Sequence, residues 1–151
     1  MDLNSIKTEQ RNSRTAQIDT MSTLSMVKLI NEEDKKVAAA VGDEAEHIAQ
    51  AVDVIAAQLK QGGRLVYSGC GTSGRLGVLD AVECPPTYST DPGEVIGLIA
   101  GGDGALRRAV EHAEDDLAGA WRDMMPYAPC AGDVLVGVAA SGTTPYVCLL
   151  Y

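Results

Sequence analysis

The stretch that decides the fold is Arg64-Leu65-Val66-Tyr67-Ser68-Gly69-Cys70-Gly71-Thr72-Ser73-Gly74-Arg75-Leu76-Gly77-Val78-Leu79-Asp80-Ala81. An apolar run empties into a small polar loop, and a helical pattern follows. The spacing predicts a strand near 64–68 and a helix near 73–82. In a loop of Gly, Ser and Thr, backbone N–H groups and hydroxyls can converge on one anion. The start of the helix adds the positive end of its dipole. Gly71, Thr72, Ser73, Gly74 and Arg75 are therefore candidate phosphate-binding residues. The plainer reading of the same residues is a strand-to-helix turn with no ligand, since Gly-rich turns are common.

The loop also spells Gly69-x-Gly71-x-x-Gly74, a dinucleotide fingerprint. A dinucleotide fold should place an acidic residue at the end of a second strand, about 20 positions on. Asp91 lies at that distance but within Ser89-Thr90-Asp91-Pro92-Gly93, which reads as a turn. No Gly-Lys-Ser/Thr follows either, so the triphosphate loop is excluded. The hydroxyls of Thr72 and Ser73 suit a phosphate monoester better than a pyrophosphate.

A second loop repeats the pattern. Asp133-Val134-Leu135-Val136-Gly137-Val138 reads as a buried strand that runs into Ala139-Ala140-Ser141-Gly142-Thr143-Thr144-Pro145. In a parallel sheet all strand C-termini lie on one edge, where ligands bind. Ser141, Gly142 and Thr143 are thus candidates to hold the far end of one small ligand.

Working outward, residues 1–20 are polar, lack a period and read as an extended arm. Ser22-Thr23 can cap a short helix through about Ile30, and a second helix is expected from Asn31 to about Val41. Ala45, Ile48, Ala49, Val52, Ile55, Ala56 and Leu59 make an apolar stripe at helical steps, ended by Gln61-Gly62-Gly63. Downstream, Pro85-Pro86 is expected to stop the loop helix. A second strand is expected over Val95–Ala100, then a helix over 105–112 and another near 114–124. Continuous apolar strands separated by helices imply an α/β fold with a parallel sheet covered on both faces. The organisation expected is an arm and helices over 1–60 and an α/β unit over 61–151. Three parallel strands leave apolar faces and a bare edge, so the sheet reads as incomplete at its C-terminal end. A partner completes it or the chain is a fragment.

Composition bounds the partners. The 151 residues carry a net charge of −9, from 12 Lys+Arg against 21 Asp+Glu. Such a surface repels nucleic acid and anionic membranes, so neither is an expected partner. No run approaches the roughly 18 apolar residues of a membrane helix. The polar start Met1-Asp2-Leu3-Asn4 does not read as a signal peptide, which points to the cytoplasm. Cys70, Cys84, Cys130 and Cys148 form no Cys-x-x-Cys pair, and neither His47 nor His112 stands at ligand spacing to them. That argues against zinc and for small buried thiols in a reducing cytoplasm. Cys70 sits in the loop, but no His or Lys neighbours it to activate a nucleophile.

Two carboxylates draw notice. Glu83 is placed just before Cys84-Pro85-Pro86, at the expected end of the loop helix. There the dipole disfavours a negative charge, which suits a general acid. Glu114 sits in the crowded acidic run Glu111-His112-Ala113-Glu114-Asp115-Asp116. The alternatives are an exposed, tolerated Glu83 and a solvated acidic helix start.

Together, Thr8-Glu9-x-Arg11-Asn12, Asn31-Glu32-x-Asp34, the loop Gly69 to Arg75, Leu76 to Ala81, Glu83-Cys84-Pro85-Pro86-Thr87, Ile99-Ala100-Gly101-Gly102, Ala113-Glu114-Asp115 and Ala139-Ala140-Ser141-Gly142 resemble the N-acetylmuramic acid 6-phosphate etherases of the sugar isomerase (SIS) superfamily. The resemblance implies a three-layer αβα sheet of flavodoxin-like or Rossmann-like type, of which this chain supplies the first part. It implies removal of D-lactate from N-acetylmuramic acid 6-phosphate in amino-sugar recycling. No metal or redox cofactor is implied, and a homodimer is. On this resemblance Glu83 falls on the proton donor and Glu114 on a second catalytic glutamate. The chain departs from the family's pattern at Cys70, usually Ala; at His112, usually Gly; and at Thr143, usually Arg. The glucokinase regulatory protein has similar loops, so a non-catalytic sugar-phosphate regulator is the rival reading. An aldose–ketose isomerase also needs a carboxylate but leaves the Glu83-to-Pro86 block unexplained.

Overall fold

The computed structural model describes Ile6, Thr8 and residues 10–148. Glu9 of the first family motif and Leu149-Leu150-Tyr151 lie outside these residues. The chain divides into two compact units, Met1–Asp53 and Val54–Tyr151. In the first, the segment expected as an extended arm instead forms single 3₁₀ turns at Ser13–Thr15 and Ile18–Thr20. The Asn12 side chain accepts from the Arg14 N–H at 3.0 Å and starts the first turn. Helix α1 (Thr23–Asp43) is capped by Ser22, whose Oγ accepts from the Ser25 N–H. The break expected at Asn31 does not occur. No Gly or Pro interrupts the run there, and just beyond it the pairs Lys35–Glu32 at 2.6 Å and Lys36–Glu33 at 2.7 Å support the following turn. Lys36, ahead of Asn12 and Arg14, holds the Glu33 carboxyl below its ordinary range. Helix α2 (Ala45–Lys60) follows, with Ile48 and Val52 exposed.

The second unit is built on β1 (Leu65–Gly69), β2 (Val95–Ile99) and β3 (Val134–Val138), all parallel, in the order β2-β1-β3. Leu65 pairs with Val95 and Val134, and Gly69 with Ile99 and Val138. The three C-terminal ends are therefore level. Alternation across the strands separates two cores. On one face Leu65 and Val95 meet Ala81, with Ile55 and Leu59 of α2 packed alongside. On the other, Val66, Ile96 and Leu98 meet Met124, and Leu135 joins them. The α/β class and the parallel sheet are as the sequence predicts. β3 is only half-buried along its length.

Helix α3 (Gly71–Tyr88) is longer than expected and contains both Pro85 and Pro86. Proline fixes φ near a helical value. What it removes is the N–H donor to the preceding turn. Here the helix continues to Ser89, whose left-handed backbone ends it and whose N–H bonds the Pro85 carbonyl at 2.9 Å. Glu83 therefore stands within α3, not at its terminus.

The two helices expected over 105–124 are a second correction. The structure has 3₁₀ turns at Asp103–Leu106 and Ala113–Asp115, and one short α-helix, α4 (Gly119–Met124). His112 adopts φ +62° and Asp116 is extended, so no continuous helix passes through either. After β3, α5 (Pro145–Cys148) follows the second loop.

The strand starts are tied by one ion pair. Arg64 donates from Nε to Asp133 Oδ1 at 2.9 Å and from Nη2 to Oδ2 at 2.6 Å, and its backbone N–H adds a third bond to Oδ1 at 3.1 Å. The Asp133 side chain is 7% exposed. Arg64, more than any other group, drives its carboxyl far below the usual carboxylate range.

Candidate functional site

The end of β1 and the start of α3 touch through backbone. A Cβ on Gly74 would lie 2.6 Å from the Gly69 carbonyl oxygen, and one on Gly69 would lie 2.8 Å from the Gly74 nitrogen. No side chain fits at either position. The outer glycines of the fingerprint thus serve helix–strand packing, while Gly71 takes the positive φ of +53° that turns the chain. The N-cap residue, Cys70, makes no side-chain hydrogen bond to the helix. The first N–H groups of α3 are left for an outside acceptor. Thr72 is exposed and Ser73 half-buried beside them.

Arg75 lies one turn on. Its Nη2 donates to the Ala105 carbonyl at 2.6 Å and its Nε to that of Leu106 at 3.2 Å. These bonds draw the segment after β2 over the helix start and form a cavity of about 180 Å³. Cys70, Gly71, Arg75, Glu111, His112 and Glu114 are among its walls. Burial, with the Glu114 charge second, pushes the Cys70 thiol up to about 11. It stays protonated at neutral pH, in keeping with the absence of an activating base in the sequence. Among the described residues, no group of three or more His, Cys, Asp or Glu side chains is gathered as a metal ion would require.

The structure thus joins Gly71 and Arg75 of the first loop to Glu114, while Thr72, Ser73, Gly74 and Glu83 are not among the cavity's walls. Glu83 is exposed. It is twelve residues beyond Gly71, about 18 Å along the helix at 1.5 Å per residue. The second loop leaves the sheet beside the first, because Gly69 and Val138 are register partners. Its groups bond to one another: the Ser141 and Thr143 hydroxyls are 2.7 Å apart, and the Thr143 N–H donates to Ser141 Oγ at 3.3 Å. Gly142, with φ +71°, makes this turn. Ser141, Gly142 and Thr143 do not line the cavity.

Comparison with known proteins decides the family. The profile of the glucokinase regulatory protein N-terminal SIS domain matches residues 47–150. The chain belongs to this SIS family. Proteins named N-acetylmuramic acid 6-phosphate etherase are also similar to it. One from Photorhabdus laumondii is 57% identical over 97% of this chain and 49% of its own length. One from Caldanaerobacter subterraneus is 53% identical over 97% and 48%, and one from Vibrio vulnificus 56% over 97% and 49%. The chain spans about half the length of these curated relatives.

Sequence reading missed two supports of the SIS loops. Tyr146 is buried, and its hydroxyl donates to Asp123 Oδ2 at 2.6 Å. With Val147 it packs against Ala100 and Ala120, and Cys70 and Ala139 join the cluster. One aromatic ring thus anchors both loops of the SIS edge from beneath. The only sequence signal is an aromatic residue just after Pro145, which does not reveal its partner. The Arg75 bonds to the carbonyls beyond β2 were also unforeseen.

Proposed function

We propose that this SIS chain binds a sugar 6-phosphate at the start of α3 and acts as a carbon–oxygen lyase. The substrate is N-acetylmuramic acid 6-phosphate, and the products are N-acetylglucosamine 6-phosphate and D-lactate. The observation that carries the reading is the uncapped start of α3 opening into a cavity that also presents Glu114. Etherase names among relatives identical at 53–57% support the choice of substrate.

The chemistry divides as follows. The phosphate takes the N–H groups of Gly71 to Ser73 and the hydroxyls of Thr72 and Ser73. In the open-chain sugar, the C1 aldehyde acidifies the C2 proton. A carboxylate removes that proton, and the C3–O bond breaks. An acid protonates the departing lactate oxygen, and water then adds to C3 of the unsaturated aldehyde. Glu114 is the acid–base group at the cavity. Glu83 is the second, the proton donor its motif implies.

A homodimer is part of this reading. Leu76, Leu79 and Val82 are all more than half exposed on α3. They make an apolar stripe on the helix that carries Glu83, and a second copy covering it would bring Glu83 into a shared site. A cytoplasmic place in amino-sugar recycling follows from the substrate, since phosphorylated sugars are made and consumed there. No helix among the described residues is long and apolar enough to cross a membrane.

The match to the regulatory-protein domain favours one rival, a sensor that binds sugar phosphate without turnover. The deciding experiment supplies N-acetylmuramic acid 6-phosphate to the purified chain and assays D-lactate enzymatically. Lactate release supports the lyase. Saturable binding without lactate supports the sensor.

A further inference from the structure

Among the described residues lining the cavity, only Arg75 and His112 carry side-chain nitrogen donors. Arg75 already donates to the carbonyls of Ala105 and Leu106. The His112 side chain is 90% exposed, with Nδ1 3.5 Å from Asp115 Oδ2. Nε2, the nitrogen that does not face Asp115, is left for a ligand. The residue also holds φ +62°, a conformation glycine takes freely and a side chain disfavours. A side chain kept in such a position at a cavity rim invites a functional account.

The substrate class supplies one. N-acetylmuramic acid 6-phosphate carries two anions, the phosphate and the lactyl carboxylate. N-acetylglucosamine 6-phosphate carries only the first. With the phosphate at the start of α3, a lactyl carboxylate in the cavity would face Glu111 and Glu114. Two like charges repel it unless a donor stands between. We propose that His112 is that donor, a specificity residue whose ring N–H recognises the lactyl carboxylate. This rests on the etherase reading above.

The test titrates N-acetylmuramic acid 6-phosphate and N-acetylglucosamine 6-phosphate calorimetrically into the full chain and into His112→Gly. The wild type should prefer the muramate, and His112→Gly should narrow that preference by about tenfold, as loss of one hydrogen bond to a charged group does. The variant should melt no lower than the wild type, because glycine adopts the same backbone without strain. An unchanged preference in His112→Gly overturns the inference and leaves the etherase reading standing. No preference in the wild type, or a lower melting temperature in the variant, also overturns it. If the wild type binds neither sugar, the etherase reading itself fails and the inference falls with it.

Discussion

Cys70 and Glu114 wall the same cavity, and the Glu114 carboxylate adds to burial in keeping the Cys70 thiol protonated. Two segments distant in sequence meet there because Arg75 holds the carbonyls of Ala105 and Leu106. The first prediction follows from this pair. Alkylation at neutral pH should modify exposed Cys130 first and Cys70 last, read by peptide mass spectrometry. Cys70→Ala should bind sugar phosphate much as the wild type does. Rapid labelling of Cys70, or lost binding in the variant, would return the thiol to the list of reactive groups.

Gly74→Ala tests the backbone contact beneath the loop. The added methyl meets the Gly69 carbonyl at 2.6 Å and Ile99 Cγ1 at 2.8 Å. Overpacking of this kind destabilises by about 1–3 kcal/mol, and here it should also displace the first turn of α3. Urea unfolding measures the first effect and sugar-phosphate affinity the second. Wild-type stability would mean that α3 can lift from the sheet at no cost.

Asp133 sets the acid limit of stability. Its native carboxyl is depressed, chiefly by Arg64. In the unfolded chain it titrates normally, at about 3.9, so the unfolded chain binds the proton more readily. The stabilisation from the pair is present in full above that value and is lost as pH falls through the depressed native one. Asp133→Asn should cost about 1–3 kcal/mol at pH 7, the scale for hydrogen bonds to a charged group in a partly buried pair. It should also flatten the fall in stability below pH 4. Unfolding curves at pH 7 and pH 3 decide it, and an unaltered acid slope would assign that fall to other carboxylates.

Much of this architecture is legible in the residues. Three continuous apolar runs, each followed by a small polar loop or turn, suffice for a parallel sheet with one functional edge. The misses have local physical causes. Pro85-Pro86 reads as a stop because proline lacks a donor, yet its φ is helical and α3 passes through it. The run from Ala105 to Met124 reads as helix by composition, but His112 turns left-handed and Asp116 extends. The cavity could not be read at all, since its far wall depends on Arg75 reaching carbonyls that no pattern marks.

Within the site, Ser73→Ala should weaken sugar-phosphate binding by about 1–3 kcal/mol, the effect of leaving a charged group one donor short. Ser141→Ala should weaken it less, because that hydroxyl is already shared with Thr143. Equal losses would mean that both loops grip the ligand directly. Glu114→Gln and Glu83→Gln should each reduce lactate release by about 10²–10⁴-fold while leaving affinity nearly intact. A Glu83 variant at the wild-type rate would make that residue structural.

The most direct measurement is a crystal structure of the chain soaked with N-acetylglucosamine 6-phosphate. The account predicts phosphate density on the N–H groups of Gly71, Thr72 and Ser73, with the sugar ring in the cavity beside Glu114. Phosphate bound elsewhere on the chain, or a ring directed away from Glu114, would contradict it.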